Sequence, residues 1–446
     1  RIAMLMNDVL SADRNLGADP GHALPMGRVI SRQRFLDLVP HVEKQRLNGG
    51  AVWYDATMYN SERLALAFVR SAVEQGAVAA NHLAAEEFLL QEGRVMGVRA
   101  RDGIGGGTVE IRARMTLTCA GPWINDLFAR LGERRPSEQP FSTALNLVVK
   151  RRLSEAYAFG VNSKREFKDK DALIKKGSRL LFVVPWRDYT MIGTDHRPWQ
   201  GTAGEYRVSE ADIVSFLREV NEAMPGADIR REEVTFFYGG LLPMAGVNPG
   251  SGDVSITKHF RIHDHEQEQG VSGLLSILSV KYTTARGVAE AAVRAVGRKL
   301  GKKIDGKAGR KRHVWGGDVG DFAGFLAVQQ AERPEPVSEV QMEQLARNYG
   351  TGVGEVFKAG GGNREWLRPV AGQERVLRAE VLHAVRHEMA LTLADVVLRR
   401  TELGSGEYPG DEAAADAAAI MAAELGWDAQ RMQRELADLR RLYQPA

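Results

Sequence analysis

The residues with the clearest chemical potential lie where an apolar run meets a polar helix start, at Leu274–Arg286. The pattern predicts a buried strand followed by a long helix over residues 283–302, with Thr283 or Thr284 as its N-cap. Lys281 stands at the junction. Free N–H groups at a helix start, the helix dipole and a lysine favour an anionic substrate, or a cofactor ring that becomes negative on reduction. The same spacing also fits a capped helix with a solvated lysine.

A second junction is the segment Cys119-Ala-Gly-Pro-Trp-Ile-Asn-Asp126. It predicts a strand that ends at Cys119, a sharp turn at Ala120-Gly121, and a helix with Pro122 at its favoured first position. A glycine turn lets a flat ligand approach the backbone closely, and a helix start offers N–H groups to negative charge. A purely structural strand–turn–helix would have the same pattern.

Two further segments have a local signature. The run Gly103–Gly107 leads into the alternating segment Thr108–Arg114, which predicts a hairpin loop. A dinucleotide fingerprint would instead follow a buried strand and open a helix, and no other segment of the sequence carries one. The aromatic run Phe236–Met244, with Gly239 and Gly240 inside it, fits either an active-site wall or a core strand.

The histidines and the cysteine exclude several kinds of site. His259, His263 and His265 have no carboxylate or thiolate at a set spacing, so we expect them on a surface loop and expect no metal site. Cys119 is the single cysteine, which excludes an intramolecular disulfide framework and a four-thiolate metal site. The sequence contains neither a nucleophile elbow nor a Walker lysine.

Composition excludes further classes of protein. The 446 residues suggest two or three domains, and 44% hydrophobic residues with 47 glycines allow a substantial core. Sixty basic against 57 acidic residues give a net charge of +3, which argues against a dedicated nucleic-acid binder. No apolar run approaches the roughly 18 residues that a membrane-spanning helix needs.

Hydrophobic periodicity predicts the elements that position these residues. The first half contains a helix over Arg1–Leu10, a helix from Ser31, a helix capped by Ser61 and a short strand over Ala77–Ala80. Residues 145–280 predict an antiparallel sheet, interrupted by a helix over Ser209–Met224 and by an exposed loop over Lys164–Lys176. A domain boundary falls within residues 306–336, and the remainder predicts helices over residues 338–349, 373–387, 390–399, 411–425 and 428–443.

Taken in order, these segments resemble the FAD-dependent glycerol-3-phosphate dehydrogenases, members of the D-amino-acid-oxidase-like flavoproteins. The matching segments include Ala120–Trp123, Ile192–Asp195, Tyr238–Met244 and Lys281–Thr284, and Glu380–Thr401 matches best. The resemblance covers nearly the whole chain. It implies an α/β plus α fold: a Rossmann-like FAD-binding domain with an antiparallel-sheet substrate domain over residues 1–320, and a C-terminal α-helical domain over residues 321–446.

The family opens with a strand, a glycine-rich loop and a helix that hold the FAD pyrophosphate. Because this sequence lacks that fingerprint and begins at Arg1 inside a helical pattern, we expect an N-terminally truncated member with an incomplete FAD-binding domain. A natural relative that has lost the unit is the alternative.

The resemblance implies oxidation of sn-glycerol 3-phosphate to dihydroxyacetone phosphate by hydride transfer to FAD, and it assigns roles to two groups of residues. Lys281 and Arg261 are the expected catalytic and anion-binding cations. The residues expected to bind the cofactor are Ala120, Gly121, Pro122, Trp123, Thr283 and Thr284.

Three departures from the family pattern leave the substrate open. Leu242 replaces an arginine associated with the substrate phosphate, Asn146 replaces a histidine, and Ser279-Val280 replaces two glycines. Loss of an arginine removes a charge-assisted contact to phosphate. The alternatives are a related flavoprotein that oxidises another small hydroxy or amino acid, and a fragment or scaffold that binds no FAD.

The resemblance also bears on partners and location. A membrane quinone or oxygen is the implied electron acceptor, and peripheral contact with the inner face of the membrane and a homodimer are compatible with it. The near-neutral charge and single cysteine fit a cytoplasmic enzyme.

Overall fold

The structure is a computed structural model that describes residues 6, 8–16, 21, 23–45, 47–166, 178–247, 254–279, 281–305 and 308–446. Most of the helix predicted at Arg1–Leu10, most of the loop predicted at Lys164–Lys176, and Val280 lie outside the described residues. Lys164 itself lies in a strand.

The regular elements of the described chain are numbered in chain order. The strands are β1 (Arg28–Ser31), β2 (Gly49–Val52), β3 (Leu83–Gln91), β4 (Arg94–Asp102), β5 (Thr108–Arg112), β6 (Thr116–Thr118), β7 (Phe141–Val149), β8 (Phe159–Glu166), β9 (Ser178–Trp186), β10 (Tyr189–Trp199), β11 (Val234–Val247), β12 (Val254–Ile256), β13 (Arg261–Asp264) and β14 (Leu274–Leu278). The α-helices are α1 (Arg32–Leu38), α2 (Ser61–Glu74), α3 (Ile124–Ala129), α4 (Glu210–Ala223), α5 (His265–Gln269), α6 (Ala285–Lys299), α7 (Phe322–Ala331), α8 (Glu339–Tyr349), α9 (Val353–Ala359), α10 (Arg378–His387), α11 (Asp411–Leu425) and α12 (Ala429–Arg441).

The largest sheet contains six antiparallel strands in the order β12-β11-β7-β10-β9-β8. One face carries Leu147, Val183 and Ile192, which are fully buried against α4 in a shared apolar cluster. Because successive side chains of a strand point to opposite faces, Asn146 and its neighbours in register lie on the other face. The antiparallel sheet predicted over residues 145–280 is confirmed for the strands up to Ile256, but the prediction is wrong for β14, which lies in another sheet and pairs in parallel with β6.

A three-stranded sheet in the order β13-β14-β6 lies beside the large sheet. Its strands β14 and β6 are parallel, and α6 packs Val288 and Ala292 against Ile277 of β14. On a second small sheet, β3-β4-β5, residues 103–107 connect two antiparallel strands, as the sequence predicts. Asp102 Oδ1 accepts hydrogen bonds from the N–H groups of Ile104 and Gly105, which closes this turn.

Two local predictions in the first half are wrong. Asn60, not Ser61, caps α2, because its side chain accepts a 3.1 Å hydrogen bond from the N–H of Arg63. The segment predicted as a strand at Ala77–Ala80 is irregular, and Val78 is 97% exposed, so no sheet partner among the described residues covers it. Ser31 caps α1, as predicted.

The C-terminal part is helical, as predicted. Ser338 caps α8 in a reciprocal arrangement with Gln341, and α11 has the predicted bounds. The helix predicted at residues 390–399 is a π-helical turn at Asp395–Arg400, and α7 was not predicted. Apolar side chains of α10, α11 and α12 form one fully enclosed cluster.

The surface position predicted for three histidines is confirmed for His259 and wrong for the other two. His263 is 8% exposed and His265 is fully buried. Both rings pack edge-on against Phe128 of α3, at centroid distances of 5.7 and 5.4 Å. His265 Nε2 also lies 2.7 Å from Ser276 Oγ, so this pair forms part of the core between α5 and β14.

The helical part covers one end of the large sheet. Tyr238 Oη donates a 3.0 Å hydrogen bond to the carbonyl of Ser405, and Thr235 Oγ1 donates one of 2.7 Å to Gly406. These bonds hold the segment between the π-helical turn and α11 against β11. Within the described residues, no helix is both long and apolar enough to cross a membrane.

Candidate functional site

Parallel pairing of β6 with β14 brings the two predicted junctions to the same edge of their sheet. Leu274 is in register with Thr116, and Ser276 with Thr118. The hydroxyl of Thr118 donates a 2.9 Å hydrogen bond to Ser276 Oγ between the strands. Because both strands run in the same direction, the turns that follow them leave the sheet side by side, where α/β sheets bind ligands.

The first turn has an open backbone. Residues Gly121–Trp123 form a single 3₁₀ turn, closed by a 3.1 Å hydrogen bond from the N–H of Trp123 to the carbonyl of Ala120. Gly121 has φ +54°, and no atom lies within 4 Å of the position that a Cβ would take there. Trp123 is 53% exposed. A flat ligand can therefore approach this backbone without displacing a side chain.

The second turn presents positive charge. Lys281 precedes a 3₁₀ turn at Tyr282–Thr284, and α6 starts directly after it. The predicted threonine cap is absent from this described helix start, because Thr284 Oγ1 donates to the carbonyl of Lys281 at 3.0 Å instead. The first turn of α6 contains no acidic residue, so its N–H groups and the exposed Lys281 both favour a negative ligand.

Arg261 lies on the other side of β14 from the first turn. It is in register with Leu278, three residues before Lys281, and its side chain is 63% exposed. Its guanidinium lies 3.3 Å from a carboxylate oxygen of Glu268, which offsets part of its charge. Lys281 thus stands at the start of the second turn, which leaves the sheet beside the first turn, and Arg261 lies on the neighbouring strand.

The start of α2 lies beside the second turn. Tyr282 Oη donates a 3.2 Å hydrogen bond to the carbonyl of Ser61, and Ser61 Oγ donates one of 2.8 Å to Glu62 Oε2. Burial raises the pKa of Tyr282 and of Tyr238, and the nearby charge of Glu62 raises both further. Glu62 is therefore a carboxylate near the second turn and β11, and the sequence reasoning did not single it out.

The face of the large sheet opposite its core, which we call the site face, adjoins Glu62 through Tyr238, whose pKa is raised by burial and by that carboxylate. Its central row consists of Tyr238, Asn146 and Gly193, which are in register on β11, β7 and β10. Asn146 Oδ1 accepts a 2.8 Å hydrogen bond from Thr194 Oγ1. The residues of the site face on these three strands include Ser142, Ala144, Asn146, Gly193, His196, Tyr238, Gly240 and Leu242.

A second missed residue is His196 of β10. Strict alternation from the buried Ile192 would put His196 on the core face. An irregularity between Gly193 and Asp195 shifts the register by one residue, so Asp195 is buried on the core side and His196 is on the site face. A bulge of this kind has no clear signal in the sequence. Glu62 does have one, because it directly follows Ser61, the predicted helix cap.

Comparison with known proteins shows a family for both parts of the chain. Residues 7–294 match the sequence model of the FAD dependent oxidoreductases, and residues 309–432 match that of the C-terminal domain of alpha-glycerophosphate oxidase. These matches confirm the resemblance stated from the motifs and the expected fold.

Individual relatives have consistent names. A glycerol-3-phosphate dehydrogenase of Mycobacterium leprae is 28% identical over 422 residues, which are 93% of this chain and 68% of the relative. One of Synechocystis is 26% identical, over 97% of this chain and 76% of the relative. The human mitochondrial enzyme is 29% identical, over 94% of this chain and 56% of the relative.

A solved structure supports the fold. The glycerol-3-phosphate dehydrogenase of Bacillus halodurans, complexed with FAD, superposes with a TM-score of 0.74 at 24% identity, over 93% of this chain and 79% of the other. The family model extends over more than half of the chain. This chain therefore belongs to the family of FAD-dependent oxidoreductases.

Proposed function

We propose that this chain oxidises sn-glycerol 3-phosphate to dihydroxyacetone phosphate with FAD as hydride acceptor. The observation that carries the proposal is the convergence of two ligand-ready turns at one edge of β6 and β14, with Lys281 at the second turn. Relatives over nearly the whole chain are named glycerol-3-phosphate dehydrogenase. The division at residue 320 into an oxidoreductase part and a helical part belongs to this proposal.

The residues at the two turns fit the flavin end of FAD. The open backbone at Gly121 suits a flat ring, and the uncapped start of α6 suits the negative charge of a reduced ring. The sequence contains no G-x-G-x-x-G fingerprint to bind the diphosphate of FAD. The match between these residues and the cofactor is therefore restricted to the flavin ring. When bound, FAD supplies an oxidised ring that accepts a hydride.

Each predicted site residue receives a role in this arrangement. Lys281 binds an oxygen of substrate or flavin, and Arg261 attracts the substrate phosphate from the neighbouring strand. The first turn and the start of α6 would hold the cofactor ring between them. The residues assigned to the cofactor are Ala120, Gly121, Pro122, Trp123, Thr283 and Thr284.

The absorbance of the purified chain in the flavin band, followed while glycerol 3-phosphate is added without oxygen, tests this function. We expect a yellow protein whose band bleaches. Lys281→Met should raise the substrate concentration for half-maximal bleaching about tenfold or more, while Lys302→Met, which removes an exposed lysine beyond α6, should not. A yellow protein that glycerol 3-phosphate fails to bleach contradicts the proposed substrate, and a colourless one favours the scaffold alternative.

A second candidate substrate class is a small hydroxy or amino acid without phosphate. Leu242 replaces the arginine expected by resemblance, and it is in register with Ser142 on the site face. None of the eight site-face residues named on β7, β10 and β11 is lysine or arginine. Faster bleaching by lactate, glycerate or an amino acid than by glycerol 3-phosphate would establish this alternative. Leu242→Arg should then shift the preference toward the phosphate ester.

The electron acceptor, the membrane contact and a homodimer belong to the same proposal. The support for a peripheral membrane contact is α7, which has no charged residue and no fully buried residue and exposes Val328 by 53%. If a quinone is the electron acceptor, a quinone analogue should reoxidise the reduced protein faster than oxygen does. If α7 contacts the membrane, less of the Val328→Glu variant than of the original protein should co-sediment with lipid vesicles. We propose that the protein is a dimer, which light scattering tests through the molar mass. We also propose that it is located in the cytoplasm or at the inner face of the membrane.

A further inference from the structure

We propose that His196 accepts the hydroxyl proton of the substrate when the carbinol is oxidised. The inference deepens the proposed function and rests on it, because it requires a substrate that loses a hydride from a carbon bearing a hydroxyl group. It applies equally to glycerol 3-phosphate and to the alternative small hydroxy acids.

The register of β10 places His196 on the site face. Asp195 is in register with Leu145 and is 3% exposed, with Arg179 Nη1 2.8 Å from its carboxylate on the core side. His196 is the next residue and is in register with Ala144. Adjacent strand residues point to opposite faces, so the imidazole lies on the same face as Asn146.

The hydrogen bond of the imidazole fixes its tautomer. His196 Nδ1 lies 3.1 Å from the carbonyl oxygen of Thr143, which can only accept, so Nδ1 carries the proton. The lone pair of the neutral ring is then on Nε2. Within the described residues, no hydrogen-bond donor occupies Nε2. The ring is oriented by its backbone partner and is free to accept a proton at the other nitrogen.

The surroundings keep the ring neutral. Burial lowers the pKa of His196, and the charge of Arg179 on β9 lowers it further. The hydrogen bond to Thr143 on β7 raises the pKa by less than burial lowers it but by more than Arg179 lowers it, and the Asp195 carboxylate has the smallest effect, which raises it. A neutral imidazole near pH 7 is the form that a general base requires.

Small neighbours leave room for a substrate beside the ring. Ala144 separates His196 from Gly240 across the sheet, and no atom lies within 4 Å of a Cβ position at Gly240. The phenol of Tyr238 already donates to Ser405, and burial raises its pKa, so it is a poor base. Glu62 is the competing acceptor, although one of its oxygens already accepts from Ser61.

The reaction balances with one proton and one hydride. The O–H bond of the carbinol breaks and its proton goes to Nε2 of His196, while the C–H bond breaks and its electron pair leaves with the hydrogen as hydride. FAD, when bound, would supply the oxidant that takes up this hydride, and the carbinol becomes a carbonyl. The imidazolium returns its proton to water.

Kinetics of the FAD-loaded chain provide the first test. His196→Gln retains a donor for Thr143 but is not a base, so kcat/KM should fall about 100-fold or more, and its rise with pH should disappear. Exogenous imidazole should restore turnover in His196→Gly. His313→Gln, which changes an exposed histidine outside this sheet, should behave like the unchanged chain. Loss of activity in Glu62→Gln with retention in His196→Gln would overturn the proposal.

Nitrogen NMR of the histidine-labelled chain provides a readout independent of turnover. We expect a neutral ring with its proton on Nδ1 at pH 7, and a change in the Nε2 resonance when glycerol 3-phosphate or glycerol is added. A proton on Nε2, a charged ring, or a resonance that neither compound moves would overturn the assignment. If the protein without substitutions shows this NMR signature but oxidises neither compound, the proposed function is contradicted and the assignment of His196 is not.

Discussion

Arg63 of α2 and Glu388, which follows α10, form a buried ion pair across 325 residues of sequence. Arg63 Nη1 lies 2.6 Å from Glu388 Oε2, and the two side chains are 4% and 0% exposed. The Arg63 guanidinium also stacks at 4.1 Å on the ring of Tyr349 and donates from Nε to the carbonyl of Asn348. The pair therefore joins the helix beside the candidate site to the helical part of the chain.

Breaking this pair should destabilise the protein strongly. Arg63→Met keeps most of the side-chain volume but leaves Glu388 buried without its main counter-charge, which costs about 3–5 kcal/mol. Arg99→Met removes two exposed pairs, with Glu87 and with Glu110, each worth about 0–1 kcal/mol. Denaturant titration of both variants measures the difference. Equal losses in the free energy of unfolding would show that the pair Arg63–Glu388 contributes no more than a surface pair. Adding Glu388→Gln to Arg63→Met should recover part of the loss.

The raised pKa of the buried Glu380 should make the free energy of unfolding depend on pH. Burial raises the pKa of Glu380 to about 7, against the opposing effect of a hydrogen bond from the N–H of Leu377. The folded state therefore holds this proton more tightly than the unfolded state, whose carboxyl has its ordinary pKa near 4.5. The resulting stabilisation is complete below about pH 4.5 and is lost as pH rises through about 7.

Glu380→Gln separates this effect from other titrations. The amide oxygen of the variant can still accept the hydrogen bond from the N–H of Leu377. We expect the stability of the unchanged chain, relative to the variant, to decline between pH 4.5 and pH 7.5 in urea titrations. A difference that does not change with pH would mean that Glu380 ionises normally in the fold.

Local signals explain which elements the sequence predicts correctly. Ser338 with Gln341, and the uninterrupted alanine-rich run of α11, specify their helices within a few residues. The sequence also indicates the two junctions, because a strand, a turn and a helix start adjoin each other in it. Their convergence requires parallel pairing of β6 with β14, which joins segments about 160 residues apart.

The features that the sequence does not reveal depend on distant partners. His265 is buried because α3 supplies Phe128 and β14 supplies Ser276, neither of which its own segment indicates. His196 reaches the site face through a register shift in β10. Arg63 appears in the sequence as an ordinary basic residue of an amphipathic helix, and its buried partner lies in a different part of the fold.

Gly193 should tolerate no side chain. A Cβ at this position would overlap Asn146 Oδ1 and lie 2.7 Å from Asn146 Cγ, so the Asn146 side chain would have to turn away and lose its hydrogen bond from Thr194. Gly193→Ala should therefore lower the free energy of unfolding by about 1–3 kcal/mol and the thermal midpoint by several degrees. Gly240→Ala, at a position with open space around it, should leave both nearly unchanged. Asn146→Ala in the same chain should restore part of the loss, and an additive effect of the two changes would contradict the proposed clash.

The cap of α2 gives a matched test of neighbouring residues. Asn60 accepts from the N–H of Arg63 and donates from Nδ2 to Asn348 Oδ1 at 3.0 Å, so it caps the helix and contacts α8. Asn60→Ala should cost about 1–2 kcal/mol in denaturant titrations. Ser61→Ala removes only a hydroxyl that donates to Glu62, and its cost should stay below about 0.5 kcal/mol. The reverse order of these two costs would restore Ser61 as the cap, and would place the start of α2 one residue later than the structure has it.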